Sequence, residues 1–346
     1  MFQLLYVIEH MLSVLLLSRR GRIIFVLLGS SMLSFIYLCK PDTYDIGAYT
    51  NAVSYPYYEP VFSLIMITLR DFMSNRMVVW TIQLLNLLLT TFLGALLIAN
   101  YKEIEKADRA VALLLLYSSV GFVLGNFNGI RRFMAMLLIA ISVMFFFMGM
   151  KGFGILMGAL SFFVHSGSAF FALIILLFAL LARYYFVAKN KERVLSRGAW
   201  VVMLLIISFL IVFVLPELVS VSRYRVYLDK EYAEGRTSFN IKYFTVLFVA
   251  ALSEYLAGRI RRKATLSTLI RLFRIYLIIL MLPVVFFSQL NEIGAKILGF
   301  YFLVEMITLC IFYLEKKVKS AVVIMLAYGV AFNALNVIGG SIHFSF

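Results

Sequence analysis

Residues 59–72 read EPVFSLIMITLRDF, and the way this stretch is taken decides the fold. Its apolar run extends from Val61 to Leu69, between Glu59 and Pro60 on one side and Arg70 and Asp71 on the other. At ~1.5 Å rise per residue it reaches about half-way through a hydrocarbon core ~30 Å thick. Counted as a membrane span, it would also invert every later loop and move the basic clusters to the wrong side. Taken as an interfacial or re-entrant helix, with Pro60 in its first turn, it leaves those clusters together. We expect the helix that does not span.

The rest of the chain is read outward from that choice. Of its 346 residues, 63% are hydrophobic and the mean hydropathy is +0.98. A soluble fold of this size has no interior able to hide so much apolar surface, so a bilayer must be its solvent. The apolar runs are roughly 16–22 residues long and lack period-two alternation, which selects helices over a closed barrel. Spans are expected at 23–39, 77–99, 110–126, 132–150, 152–166, 167–187, 198–215, 242–258, 273–290, 296–314 and 320–338. Segment 2–17 is a twelfth span or an interfacial helix. The charges Arg19, Arg20 and Arg22 follow its apolar core instead of preceding it, unlike a cleaved leader. No linker, repeat or low-complexity tract divides the sequence, so residues 1–346 read as a single all-α, polytopic integral membrane domain.

The net charge of +15 at first points to nucleic acid. Most of the Lys and Arg sit in short loops, however, and the positive-inside rule accounts for them without nucleic acid. Clusters at Arg19–Arg22, Lys189–Arg197, Arg259–Lys263 with Arg271 and Arg274, and Glu315–Lys319 are placed in the cytoplasm. The outer loops are then Lys40–Arg76, Asn126–Arg132, His165–Ser168, Pro216–Lys242 and Ser288–Lys296. Cys39 and Cys310 fall near opposite faces, and no disulfide is expected.

The unusual polar residues gather at the outer ends of the spans. Outer loop one, KPDTYDIGAYTNAVSYPYYEP, carries Asp42, Asp45 and Glu59 among tyrosines that include Tyr49. A carboxylate can orient or deprotonate a hydroxyl, and an aromatic face can stack on a sugar; an ordinary wet loop with interfacial tyrosines would look the same. NFNGIRRF places Arg131 and Arg132 at the start of a span, against the positive-inside trend. Two guanidiniums there can clamp a phosphate or diphosphate through paired N–H donors, the plainer alternative being snorkelling to lipid headgroups. His165, in SFFVHSGSAFF, is one of three histidines. An imidazole with its ordinary pKa near ~6.5 can act as a general base, or can simply bond a helix end. The loop SRYRVYLDKEYAEGR offers Arg223, Tyr224, Arg225, Tyr227 and Arg236 for saccharide or phosphate. No metal-ligand set and no nucleotide-binding glycine pattern is present, so neither metal nor cofactor is expected.

The order of these pieces resembles the EpsG/Wzy-like family of polysaccharide polymerases. The matching residues are Asp45 and Tyr49, or the overlapping Asp42 pair; then Glu59 and Pro60; then Asn128, Arg131 and Arg132; then Val164, His165, Ser166 and Ser168. The resemblance is clear over residues 20–190 and rests on hydropathy beyond Arg197. The sequence departs from the pattern at Val164, where an aromatic is usual. In a late span, where an Arg is expected, Lys296 is the nearest cation. The resemblance implies a GT-C-like glycosyltransferase in the bacterial cytoplasmic membrane with its site facing outward. It would join oligosaccharide repeat units carried on undecaprenyl diphosphate for O-antigen, capsule or exopolysaccharide. In that reading Arg131, Arg132 and Asn128 meet the diphosphate, and His165 or one of Asp42, Asp45 and Glu59 takes the acceptor proton. A flippase and a chain-length regulator are the expected partners. Two rival readings are a lipid-linked oligosaccharide flippase, which would keep ionisable groups at mid-membrane, and a membrane glycan acyltransferase.

Overall fold

The computed structural model describes residues 24, 44–101, 104–117, 119–190, 239–258, 265–286, 291–315 and 319–338. Among them every regular element is an α-helix, as a chain of apolar runs without alternation requires. Three described helices are long and apolar enough to cross a membrane: Asn75–Ala99, Ile130–Phe147 and Ile297–Leu314. The fold is that of an all-α membrane protein. The expected span at 23–39 except for residue 24, the span at 198–215, the segment 2–17 and Cys39 lie outside the described residues.

In chain order the helices are α1 (Tyr44–Ala52), α2 (Pro60–Arg70), α3 (Asn75–Ala99), α4 (Lys106–Tyr117), α5 (Val120–Asn128) and α6 (Ile130–Phe147). They continue with α7 (Lys151–Val164), α8 (Ser168–Asn190), α9 (Phe239–Leu256), α10 (Leu266–Phe286), α11 (Asn291–Leu314) and α12 (Lys319–Ile338). Two departures from the sequence reading stand out. First, the loop expected at 40–58 contains the short helix α1. Second, the span expected at 110–126 is broken into α4 and α5. The break is made by Ser119, which caps α5 by accepting the Phe122 N–H at 3.2 Å and bonds back to the Leu116 carbonyl at 2.7 Å. A serine hydroxyl that competes with the backbone in this way ends one helix and starts the next.

The chain divides into two compact units, residues 1–173 with 305–346 and residues 174–304. In the first unit α2 is the short helix expected from its sequence. Phe62 and Met66, four apart on one face, are fully buried. They join a core with Val78 and Ile82 of α3 and Ile130, Met134 and Leu138 of α6. The other face leaves Leu64 and Ile67 exposed. The loop before α2 is tied down by Arg70, which donates to the Ser54 carbonyl at 3.1 Å, and by Asn75, which donates to Ser54 Oγ at 2.9 Å.

α6 and α7 form a tight antiparallel hairpin. Small residues let their backbones approach, the usual device for helix pairing in a membrane. Ser142 Oγ donates to the Gly154 carbonyl at 2.6 Å, and a Cβ on Gly154 or Gly158, four residues apart, would press on Phe146 or Ser142. Because the hairpin is antiparallel, the first turn of α6 and the last turn of α7 share one end. The sequence thereby brings Arg131 to His165.

In the second unit α9 and α10 pair, and three of their charged residues interlock. Arg271 Nε and Arg274 Nη1 each donate to the Glu254 carboxylate at 3.0 Å, and Arg274 Nη2 donates to Ser253 Oγ at 2.7 Å and to Tyr301 Oη at 3.2 Å. Arg271 also donates to the Gly258 carbonyl at 2.8 Å, closing the end of α9.

Candidate functional site

Glu59 organises the site. It is the residue before α2, with extended backbone (φ −61°, ψ 154°), and Pro60 follows at the first helical position. Its side chain does not cap its own helix. It reaches instead to the junctions that begin α6 and follow α7. Oε2 accepts from Arg131 Nη1 in a close ion pair. Oε1 accepts the Ser166 N–H and the Ser166 hydroxyl, both at 2.9 Å, and lies 3.3 Å from His165 Nδ1. Three parts of the sequence, more than a hundred residues apart at the extremes, meet on one carboxylate.

Electrostatics follow from this wiring. Burial acts to raise the Glu59 pKa. The Ser166 N–H, the Arg131 cation and the Ser166 hydroxyl outweigh it and bring the pKa down to about 2. Glu59 is thus a fixed anion whose oxygens are already occupied. His165 moves the other way from the sequence expectation. Burial first, then the positive charge of Arg131, bring its pKa down from 6.5 to about 4; Glu59 opposes the change and Arg132 adds to it. The pKa near 6.5 expected of an unperturbed imidazole is therefore corrected downward, and the ring is neutral at neutral pH. An ionised carboxylate only accepts, so the Nδ1 facing Glu59 carries the proton. Nε2 is left with its lone pair.

Tyr58, next to Glu59 in sequence, completes the group. Its ring lies under the Arg131 guanidinium, 4.4 Å from the centroid, a cation–π contact. Tyr58 is wedged against Phe62 and Tyr49, each at 5.6 Å, and against Tyr57 at 4.7 Å. Burial raises its phenol pKa.

The arginine-bearing junction is held from α3. Gln83 Nε2 donates to the Asn126 carbonyl at 3.2 Å and Asn86 Nδ2 to the Ile130 carbonyl at 3.1 Å. Both side chains are buried, so leaving those carbonyls unpaired in an apolar interior would be costly. The break between α5 and α6 at Gly129 exposes the Asn126 carbonyl in the last turn of α5, which the Gln83 amide satisfies, and the Asn86 amide adds a tie to the Ile130 carbonyl in the first turn of α6.

The residues picked out in the sequence are thus distributed as follows. Glu59, Arg131 and His165 are in contact, Arg132 is next to them, and Tyr49 reaches them through Tyr58. Asn128 ends α5 and Asp45 lies in α1, their side chains outside the described residues. Asp42, Arg223, Tyr224, Arg225, Tyr227 and Arg236 also lie outside, and Lys296 is on α11 with its side chain outside. Sequence reasoning did not pick out Tyr58, Gln83 or Asn86, and gave Ser166 no role. Gln83 and Asn86 carried a usable signal: two amides three residues apart in an otherwise apolar span.

The model of the EpsG family matches residues 22–345. The chain belongs to the EpsG family. Membership extends through the last third, where the motifs are thin and the resemblance rested mainly on hydropathy. It makes the chain a polysaccharide polymerase-type membrane protein with glycosyltransferase-like activity. No curated protein and no solved structure matches it.

Proposed function

We propose that this EpsG-family chain is a polysaccharide polymerase that transfers a growing glycan from undecaprenyl diphosphate to a hydroxyl of an incoming lipid-linked repeat unit. The observation that carries the reading is the meeting of His165, Glu59 and Arg131, with Arg132 beside them, at one end of the α6–α7 hairpin. Mid-span positions would suit a transporter better.

In the proposed step the acceptor oxygen forms a bond to the donor's anomeric carbon as the bond from that carbon to the diphosphate oxygen breaks. The hydroxyl proton passes to His165 Nε2. Glu59 holds Nδ1–H and stabilises the imidazolium as it forms, an orienting role that a carboxylate fills best when it stays ionised. Positive charge at the start of α6 stabilises the charge that develops on the leaving diphosphate. Tyr49, Arg223, Tyr224, Arg225, Tyr227, Arg236 and Lys296 remain proposed saccharide or phosphate contacts, and Asn128, Asp42 and Asp45 proposed members of the same site. The site faces the outer side of the cytoplasmic membrane, with α2 at the membrane surface. A flippase delivers the repeat units and a chain-length regulator sets the product length.

Purified protein given synthetic undecaprenyl-diphosphate repeat units tests this. Lengthening glycan with release of undecaprenyl diphosphate is the expected result. Movement of the lipid-linked sugar across vesicles with no lengthening would replace the reading with transport.

A further inference from the structure

The two adjacent arginines do not stand in equivalent places. Arg131 is committed. Its Nη1 is paired with Glu59 Oε2, one face lies on the Tyr58 ring, and its Nε is buried without a hydrogen-bond partner among the described residues. Arg132 is not committed. Among the described residues it has no hydrogen-bond or ion-pair partner, and it is only half-buried. Its guanidinium folds back over the α5–α6 junction. A Cβ on Gly129 would lie 3.4 Å from both Nε and Nη2 of Arg132, in ordinary van der Waals contact, which places the guanidinium over that junction. The same guanidinium is near enough to His165 for its charge to oppose protonation of the ring. Hence one guanidinium is anchored by an ion pair and a ring face, and its neighbour is open beside the base.

We infer that Arg132 makes the diphosphate contact, whereas Arg131 is a positioning residue that fixes Glu59 and, through Glu59, the His165 ring. The assignment rests on the polymerase reading for the identity of the anion. The chemistry it needs is more general: a prenyl diphosphate, two of whose non-bridging oxygens meet the planar N–H pair of Arg132. Lysine at 132 supplies the charge without the fork. Lysine at 131 still supplies a cation for Glu59.

Farnesyl diphosphate, a short soluble prenyl diphosphate, is the probe. Its binding to purified full-length protein is titrated alongside melting temperature and polymer synthesis. Arg132→Ala and Arg132→Gln should melt like the wild type, lose at least about tenfold in affinity, and lose on the order of 10²–10³-fold in turnover, as for removal of one anion-stabilising donor. Arg132→Lys should recover only part of each. Arg131→Lys should keep farnesyl diphosphate affinity within a few-fold. Arg131→Ala should lower the melting temperature and, by removing a cation beside His165, move the acid limb of kcat/KM to higher pH. A structural role alone would leave that limb in place. The assignment is overturned if the wild type does not bind farnesyl diphosphate, if both Arg132 variants bind it normally, or if Arg131→Lys loses the affinity instead. Arg132-dependent binding in a protein that makes no polymer would leave the assignment standing and remove the polymerase reading.

Discussion

Two clusters in this molecule are built from the same residue types and behave differently. In the second unit Glu254 is enclosed by Arg271 and Arg274, with Ser253 and Tyr301 completing the donors and acceptors. The side chains of Arg274, Arg271 and Glu254 are 0%, 10% and 9% exposed. In the first unit Glu59 gathers Arg131, His165 and Ser166, and the side chains of Arg131, Glu59 and His165 are 20%, 15% and 19% exposed. The Glu254 cluster spends its groups on one another and joins α9 to α10. The Glu59 cluster leaves two groups without a hydrogen-bond partner among the described residues, Nε2 of His165 and the guanidinium of Arg132. A carboxylate–arginine pair alone therefore does not mark a site; an uncommitted base and an uncommitted cation held beside it do.

The contrast can be broken most forcefully at Glu59. Glu59→Gln keeps the shape but removes the anion that sets the His165 tautomer, and turnover should fall on the order of 10²–10⁴-fold with protein still in the membrane. Glycan synthesis per molecule of purified protein is the measurement. Near-normal synthesis would assign the Glu59 cluster to architecture, like its counterpart. Arg274→Ala is the converse experiment. It leaves a buried carboxylate short of a partner and should cost about 3–5 kcal/mol of stability, read as reduced abundance and melting temperature. The rate per folded molecule should be retained, and a large fall in that rate at normal stability would put chemistry in the second unit.

Ser166→Ala is expected to act more mildly. It removes one hydroxyl from Glu59 Oε1, while the backbone N–H at 2.9 Å remains. One hydrogen bond to a charged group is worth ~1.5–3 kcal/mol, and with the backbone N–H still in place the loss belongs at the lower end, so steady-state assays should show roughly a tenfold loss of kcat/KM. A loss as large as that of Glu59→Gln would mean the hydroxyl acts on substrate directly.

The smallest effect is in the pH profile. With His165 at about 4 in the folded protein against 6.5 unperturbed, kcat/KM should stay flat through pH 6.5 and fall as the pH drops through about 4. The charged groups facing the ring are Glu59, Arg131 and Arg132. A bound diphosphate offsets the two cations, so the acid limb of kcat should lie above that of kcat/KM. Stability follows the same sign. His165 takes up its proton less readily folded than unfolded, so its contribution is complete above pH 6.5 and is lost as the pH falls toward 4. Glu59, brought from 4.5 to about 2, adds a second loss between those values. A limb at pH 6.5 would show that the ring is not buried among cations.

Much of this was legible in the sequence for physical reasons. The length of the Val61–Leu69 run marked a short helix there, and α2 is one of 11 residues. The two arginines against the charge trend and the scarce histidine at a span end marked two arms of the Glu59 cluster. What the sequence withheld was connectivity in space. Nothing in EPVF says that Glu59 turns away from its own helix toward Ser166, 107 residues on. The break at Ser119 was hidden because a serine in an apolar run reads as a tolerated helix residue until its hydroxyl is seen to bond Leu116 and Phe122. The depressed His165 pKa depends on burial and on two cations brought in from another helix, which no local reading contains.

The central claim is that His165, neutral and fixed by Glu59, takes the proton of the attacking hydroxyl. The most direct measurement compares wild type and His165→Ala, purified and matched in melting temperature, on synthetic undecaprenyl-diphosphate repeat units, with product length followed in time. The account predicts a lengthening ladder for the wild type and a single repeat unit for the variant, with a rate loss of ~10²–10⁴-fold. Ladders that lengthen at the same rate in both would contradict it.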